Sequence, residues 1–244
     1  MTLSGSVTTP EALDATERGR MLALMVAHFE GVSPEAFQHD LEQKRWVIVL
    51  RDAAGELQGF TTIGLDAVEV EGRRIEAVFS GDTIVHRDHW GTTELAQAWG
   101  RFVLSLARAD GEAPLYWFLI SKGHRTYRFL PLYFQAYWPR HDADTPPFEA
   151  DVMAQLAGAR YPGCFDPEAG VLRFGGTKDR LRDELAEIPA GRLRDPAVRF
   201  FLERNPGYVH GDELVCLARL APDNLTPAAW RVLRQAPGPE VLPR

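Results

Sequence analysis

Apolar positions recur with two different periods along this chain, and the change from one to the other divides it. Between Pro10 and Glu42 the spacing is helical, with Leu22, Met25, Val26 and Phe29 on one face. Two helices are predicted there. The second starts where Ser33 can cap a first turn and Pro34 stands at the position that tolerates a missing N–H, and it runs to about Lys44. The period then becomes two. Trp46 to Leu50 reads as a strand, Ala53-Ala54-Gly55 as a turn, Leu57 to Leu65 as a second strand, and Val68 to Gly72 as its continuation into another turn. Arg74 to Val85 makes a third, long strand, so an antiparallel meander is expected.

The polar stretch His86 to Gly91 follows, and Thr92 or Thr93 can cap a helix from Glu94 to about Ala109, closed by Gly111 to Pro114. Leu115 to Ile120 is short and wholly apolar, as strands buried on both faces are, so it is predicted to be central and parallel to its predecessor. Arg125 to Tyr137 is dense in aromatics and interrupted by Pro131, which predicts a late or kinked helix. His141 to Phe148 reads as a boundary. Beyond it come a helix around Val152 to Leu156, a loop around Cys164, a strand near Val171 to Phe174, the Asn205-Pro206-Gly207 turn and a closing strand, Leu214 to Leu220.

Composition narrows the function classes. With 244 residues, 45% of them hydrophobic and 25% charged, the chain suits one globular α/β domain with a terminal extension. The longest apolar runs, Trp46 to Leu50 and Tyr116 to Ile120, fall far short of the roughly 20 residues of a spanning helix. Met1 to Pro10 has neither a basic region nor an apolar one, so no secretory signal is read there and a cytoplasmic location is expected. A formal charge of -7 disfavours general nucleic-acid binding but leaves room for a local basic patch. The 27 basic residues include only three lysines, Lys44, Lys122 and Lys178, as a GC-rich bacterial genome would give. Cys164 and Cys216 are too few for a disulfide framework and are expected as free thiols.

Candidate chemistry gathers around the third strand. Strict alternation puts Glu76, Val78, Ser80, Asp82 and Ile84 on one face, where Glu76, Ser80 or Asp82 could take a proton. His86, His89 and His124 lack the spacing of a three-ligand metal site, so no metal is expected. Lys122, His124, Arg125 and Arg128 follow the central strand at its C-terminal end, where open α/β sheets bind ligands, and could receive a phosphate or carboxylate.

The segment from Gly81 to Leu95, with Gly91 in its middle, resembles the strand, pyrophosphate loop and helix of the GNAT superfamily, and the order of elements from Arg18 to Trp138 is similar too. Trp90 stands where that loop often has a basic residue, and Thr93 where it ends in Gly or Ala. The resemblance implies a mixed, mostly antiparallel central sheet flanked by helices, with residues 1–140 as the acyltransferase core and 141–244 as a C-terminal extension. It implies an N-acyltransferase that moves an acyl group from acyl-CoA, or from an acyl carrier protein, to a small-molecule amine. Trp90, Gly91, Thr92 and Thr93 would bind the carrier's phosphates, and the backbone of Ile84 and Val85 its pantetheine arm. Tyr133, with Tyr127 or Tyr137 as substitutes, would be the acid for the leaving thiolate, and Glu76 or Asp82 the base. The alternative is a noncatalytic ligand-binding protein on the same fold.

Overall fold

The computed structural model describes residues 3–109 and 113–234; the Gly111 to Pro114 turn lies partly outside them. The chain opens with β1 (Ser4–Thr8), α1 (Ala15–His28), β2 (Phe29–Glu30) and α2 (Pro34–Glu42), followed by β3 (Trp46–Arg51), β4 (Leu57–Val70) and β5 (Arg73–Val85). Asp14 and Glu17 cap α1 reciprocally, each side chain accepting from the other's backbone N–H at 2.8 and 3.1 Å. Ser33 caps α2 by accepting from the Ala36 N–H, with Pro34 in its first turn. The middle of the chain supplies α3 (Glu94–Ala109), β6 (Leu115–Ser121), α4 (His124–Tyr127) and α5 (Phe129–Tyr133). The remainder supplies α6 (Pro147–Arg160), β7 (Phe165–Asp166), β8 (Val171–Leu172), β9 (Arg180–Leu181), α7 (Asp183–Ala186), α8 (Pro196–Arg204), β10 (Glu213–Arg219) and α9 (Pro227–Leu233).

One mixed sheet organises these elements in the order β1-β3-β4-β5-β6-β10-β8-β7, with β2 and β9 as a separate pair. Every neighbour pair in the large sheet is antiparallel except β5 and β6, which are parallel. Helices cover both faces. On one, α3, α8 and α9 pack over Ile48, Ile63, Val78, Trp117 and Cys216. On the other, α6 packs over Phe79, Phe118 and Val215, and α1 and α2 over Val47, Val49 and Phe60. Cys164 and Cys216 are free thiols. Among the described residues no helix is long and apolar enough to cross a membrane.

Two expectations change. The buried face of α1 is Met21, Leu24, Met25 and His28, while Val26 is 46% exposed. That stripe has the spacing i, i+3, i+4, i+7, but its fourth member is a histidine, so the apolar pattern alone points one residue off. The alternation of β5 also fails at a bulge: Thr61 pairs with Thr83 but Ile63 with Ser80, so Thr62 opposes both Gly81 and Asp82. Beyond it the faces are exchanged. Val78 lies on the α3 side and Ile84 on the α1 side, so Asp82 and Ile84 do not share the face of Ser80.

Candidate functional site

The parallel pairing of β5 with β6 runs from Glu76↔Leu115 to Ser80↔Leu119 and stops. Both strands continue, β5 to Val85 along β4 and β6 to Ser121 along β10, so a gap opens between them. The bulge lies where the gap begins. Gly81 fits there because a Cβ would stand 2.5 Å from the Thr62 hydroxyl and 2.8 Å from Lys44 Cε.

A cavity of about 650 Å³ lies at this gap, lined by Trp99, Val103 and Trp117 from the α3 face and by His28, Phe29 and Ile84 from the α1 face. It is bounded by the end of β5, the loop Trp90 to Thr92, α3, the turn Lys122 to Arg128, α5 and α9. Its lining includes Lys122, Arg125, Arg128 and Arg192 and, among the described residues, no carboxylate, although just behind the lining Lys122 pairs with Asp179 at 2.8 Å and Arg128 with Asp195 at 2.9 Å. The basic cluster that the sequence singled out is thus assembled at the cavity's mouth. His124 stays neutral there, pushed down to about 4 by burial and by Arg125, Arg128 and Arg192.

The main chain of β5 divides its hydrogen bonds between β4 and the gap. The His86 N–H donates to the Gln58 carbonyl at 2.7 Å, which makes Val85 and Gly59 a non-hydrogen-bonded pair, so the Val85 N–H and C=O point away from β4. Trp90 Nε1 donates to that carbonyl at 2.8 Å. The Val85 N–H is left facing the gap. Ile84, one step along, spends its main chain on Phe60, and its side chain lines the cavity from the α1 face.

In the loop, Trp90, Gly91 and Thr92 line the cavity and Thr93 does not. The Thr93 hydroxyl accepts from Gln97 Nε2 at 2.8 Å, and its carbonyl accepts from the Gln97 N–H at 2.8 Å, so it serves the start of α3 instead. Gly91 has φ +89 and open space around its missing side chain; its backbone conformation, not crowding, calls for glycine. The Trp90 ring lies beneath the Arg125 guanidinium at 4.8 Å, which holds that cation over the mouth.

Deeper in, Ser80 is buried and its hydroxyl accepts from both Trp99 Nε1 and Trp117 Nε1, each at 3.0 Å. With both lone pairs engaged, the hydroxyl acts outward only as a donor. His28 is buried at the cavity wall; its Nδ1 donates to the Leu24 carbonyl at 2.8 Å, and its Nε2 has no partner. Burial, reinforced by Arg87 and His86, holds its pKa below the ordinary histidine range, so Nε2 is a bare acceptor at neutral pH.

Of the three candidate tyrosines only Tyr133 lines the cavity. It stacks on Phe129 at 5.9 Å, and burial raises its hydroxyl pKa. Tyr127 is fully buried and donates to the Pro139 carbonyl at 2.9 Å, and Tyr137 packs against it in the core. The two carboxylates also separate. Glu76 is four residues before Ser80 at the paired end of β5, roughly 13 Å along the strand, beside Arg74 at 3.1 Å, and is outside the cavity. Asp82 lies at the bulge, under the influence of Lys44, Asp40, Lys122 and Asp179, and its pKa is raised to about 6, mainly by burial and then by Asp40. Lys44 itself is buried and paired with Asp40.

No family model and no curated protein matches the chain. Solved structures do. A probable N-acyltransferase from Enterococcus faecalis is similar over 56% of this chain and 33% of its own, at 17% identity and a TM-score of 0.42. YhbS of Escherichia coli, a GNAT family N-acetyltransferase in complex with CoA, covers 53% of this chain and 69% of its own at 19% identity and 0.37. Glucosamine-6-phosphate N-acetyltransferase from Arabidopsis thaliana covers 49% and 82% at 13% identity and 0.36. This chain spans a third of the length of the Enterococcus protein. Among the described residues no group of three or more His, Cys, Asp or Glu is placed to hold a metal ion.

His28, Trp99 and Trp117 line the cavity and are not singled out by the sequence. Their side chains look like ordinary core when read singly. The only signal was the histidine at the fourth position of the buried stripe of α1 and the serine among apolar neighbours on β5.

Proposed function

We propose that this protein is an N-acyltransferase that takes its acyl group from an anionic carrier thioester, acyl-CoA in the first instance, and passes it to a small-molecule amine. The observation that carries this reading is the gap between β5 and β6, opened by a cavity whose lining includes Arg125 and Arg192, with a carboxylate of raised pKa at the bulge beside it. Donor and acceptor can approach such a gap from opposite faces of the sheet and meet within it.

The chain's residues suit each part of the reaction. The first-turn N–H groups of α3, together with Arg125, face the carrier's phosphates, since a helix start offers unpaired donors and a positive dipole end. The Val85 N–H and His28 Nε2 offer the pantetheine amides one donor and one acceptor. Ser80 donates to the thioester carbonyl as negative charge develops there. Asp82, ionised above pH 6, accepts the proton that the attacking amine must lose, directly or through water. Carbon–sulfur cleavage then releases a thiolate, and Tyr133, kept protonated by its raised pKa, donates a proton to it. An amide and a free thiol result.

Thiol release from acetyl-CoA and longer acyl-CoAs with a panel of primary amines tests the reading. Asp82→Asn is expected to lower kcat by about 10²–10⁴-fold while leaving thioester binding intact, and to remove the break near pH 6 from the kcat/KM profile. Binding of CoA thioesters without thiol release for any amine would favour a noncatalytic binder on this fold.

A further inference from the structure

An acetyl group needs little room beyond the thioester, yet the cavity continues well past Ser80. On α3 its lining is Leu95, Ala96, Trp99, Gly100, Val103 and Leu104, a stripe of nine residue steps and about 14 Å along the helix axis. Facing that stripe are Phe134, Leu225, Ala229 and Leu233. All are apolar, whereas Arg125, from the turn after β6, and Arg192 supply cations outside the stripe. Gly100 allows α9 this close, because a Cβ there would stand 2.8 Å from Leu233 Cδ2. The volume of about 650 Å³ is that of the whole cavity, the carrier's arm included, and this apolar stripe is one part of it. A cavity cationic at its mouth and apolar along its length complements a ligand that is anionic at one end and hydrocarbon at the other.

We propose that the branch between α3 and α9 holds the hydrocarbon chain of a medium-chain acyl thioester, about eight to twelve carbons when extended. This rests on the thioester reading above and adds the class of acyl group. The carbonyl lies at Ser80, where Trp99 and Trp117 frame the passage from the gap into the apolar branch.

Isothermal titration of the full chain with CoA, acetyl-, octanoyl- and dodecanoyl-CoA below their micellar concentrations, and with free dodecanoate, tests it. Each buried methylene contributes up to about a fourfold gain and octanoyl-CoA has six more than acetyl-CoA, so a gain of about a hundredfold, well under that ceiling, is expected for octanoyl-CoA over acetyl-CoA. Val103→Trp and Ala229→Phe fill the branch from opposite walls. Each should cut that ratio to about tenfold or less and leave acetyl-CoA affinity unchanged, with melting curves confirming that the variants fold. If neither variant folds, the wild-type length series decides alone. Equal affinity for acetyl- and octanoyl-CoA would overturn the chain pocket and leave the acyltransferase reading standing. Binding of free dodecanoate with none of the CoA series would overturn both, and mark the cavity as a fatty-acid site.

Discussion

Ser80 serves two indoles with a single oxygen, so its removal reaches well beyond one hydrogen bond. Ser80→Ala is expected to leave two buried N–H groups without an acceptor, to destabilise the fold by about 1–3 kcal/mol, and to change the emission of Trp99 and Trp117. Denaturant unfolding followed by fluorescence reads both effects. Asp82 makes a prediction of opposite sense. Its pKa in the folded chain, about 6, exceeds its ordinary value of 3.8, so the folded state holds this proton more firmly than the unfolded chain. The stability that Asp82 lends is therefore complete below about pH 4 and is lost as pH rises through 6. Asp82→Asn should gain melting temperature relative to wild type progressively across that window, while losing activity. An ion pair that stabilises the charged form would give the reverse trend.

At the scale of elements, legibility followed the source of each signal. β3, β5, α3 and β6 announce themselves by period, by a capping threonine or by an unbroken apolar run, and their bounds agree within a residue or two. β1 does not, because Ser4-Gly5-Ser6-Val7-Thr8 is polar and acquires its conformation by pairing with β3 at the edge of the sheet. α8 carries a legible start: Asp195 accepts from the Ala197 N–H and Pro196 opens the first turn, a helix start written in two adjacent residues. The bulge is invisible to strict alternation, since one extra residue in β5 exchanges the faces of all that follow. Yet Gly81 beside an acid, within a strand otherwise rich in β-formers, is the kind of interruption that marks one. Gly81→Val should be among the most damaging changes in β5, because its side chain meets Thr62 and Lys44 in the buried sheet. A loss of more than about 3 kcal/mol in chemical denaturation is expected.

For the whole molecule, charge is distributed against its average: a chain of net -7 lines one cavity with four cations and no carboxylate among the described residues, Lys122 and Arg128 being paired with Asp179 and Asp195 behind the lining. Composition could exclude a broad basic surface but could not foresee this, since Arg192 joins Lys122, Arg125 and Arg128 only through the packing of distant segments. Raising ionic strength from about 0.05 to 0.5 M should therefore weaken CoA binding severalfold while changing the gain from a longer acyl chain little, because screening acts on exposed charges and not on buried methylenes.

The position of β10 has a consequence for how the molecule is made. This strand lies between β6 and β8, and the segment just after it supplies Leu225, Ala229 and Leu233 to the cavity wall. During N-to-C synthesis β3 to β6 emerge first and can pair, but one edge of β6 must wait for nearly a hundred more residues before its antiparallel partner arrives. Until then the exposed edge and the unwalled side of α3 are the places where a nascent chain would find a wrong neighbour. The cavity is thus among the last features to be completed, and its assembly reports that the chain has folded through to α9.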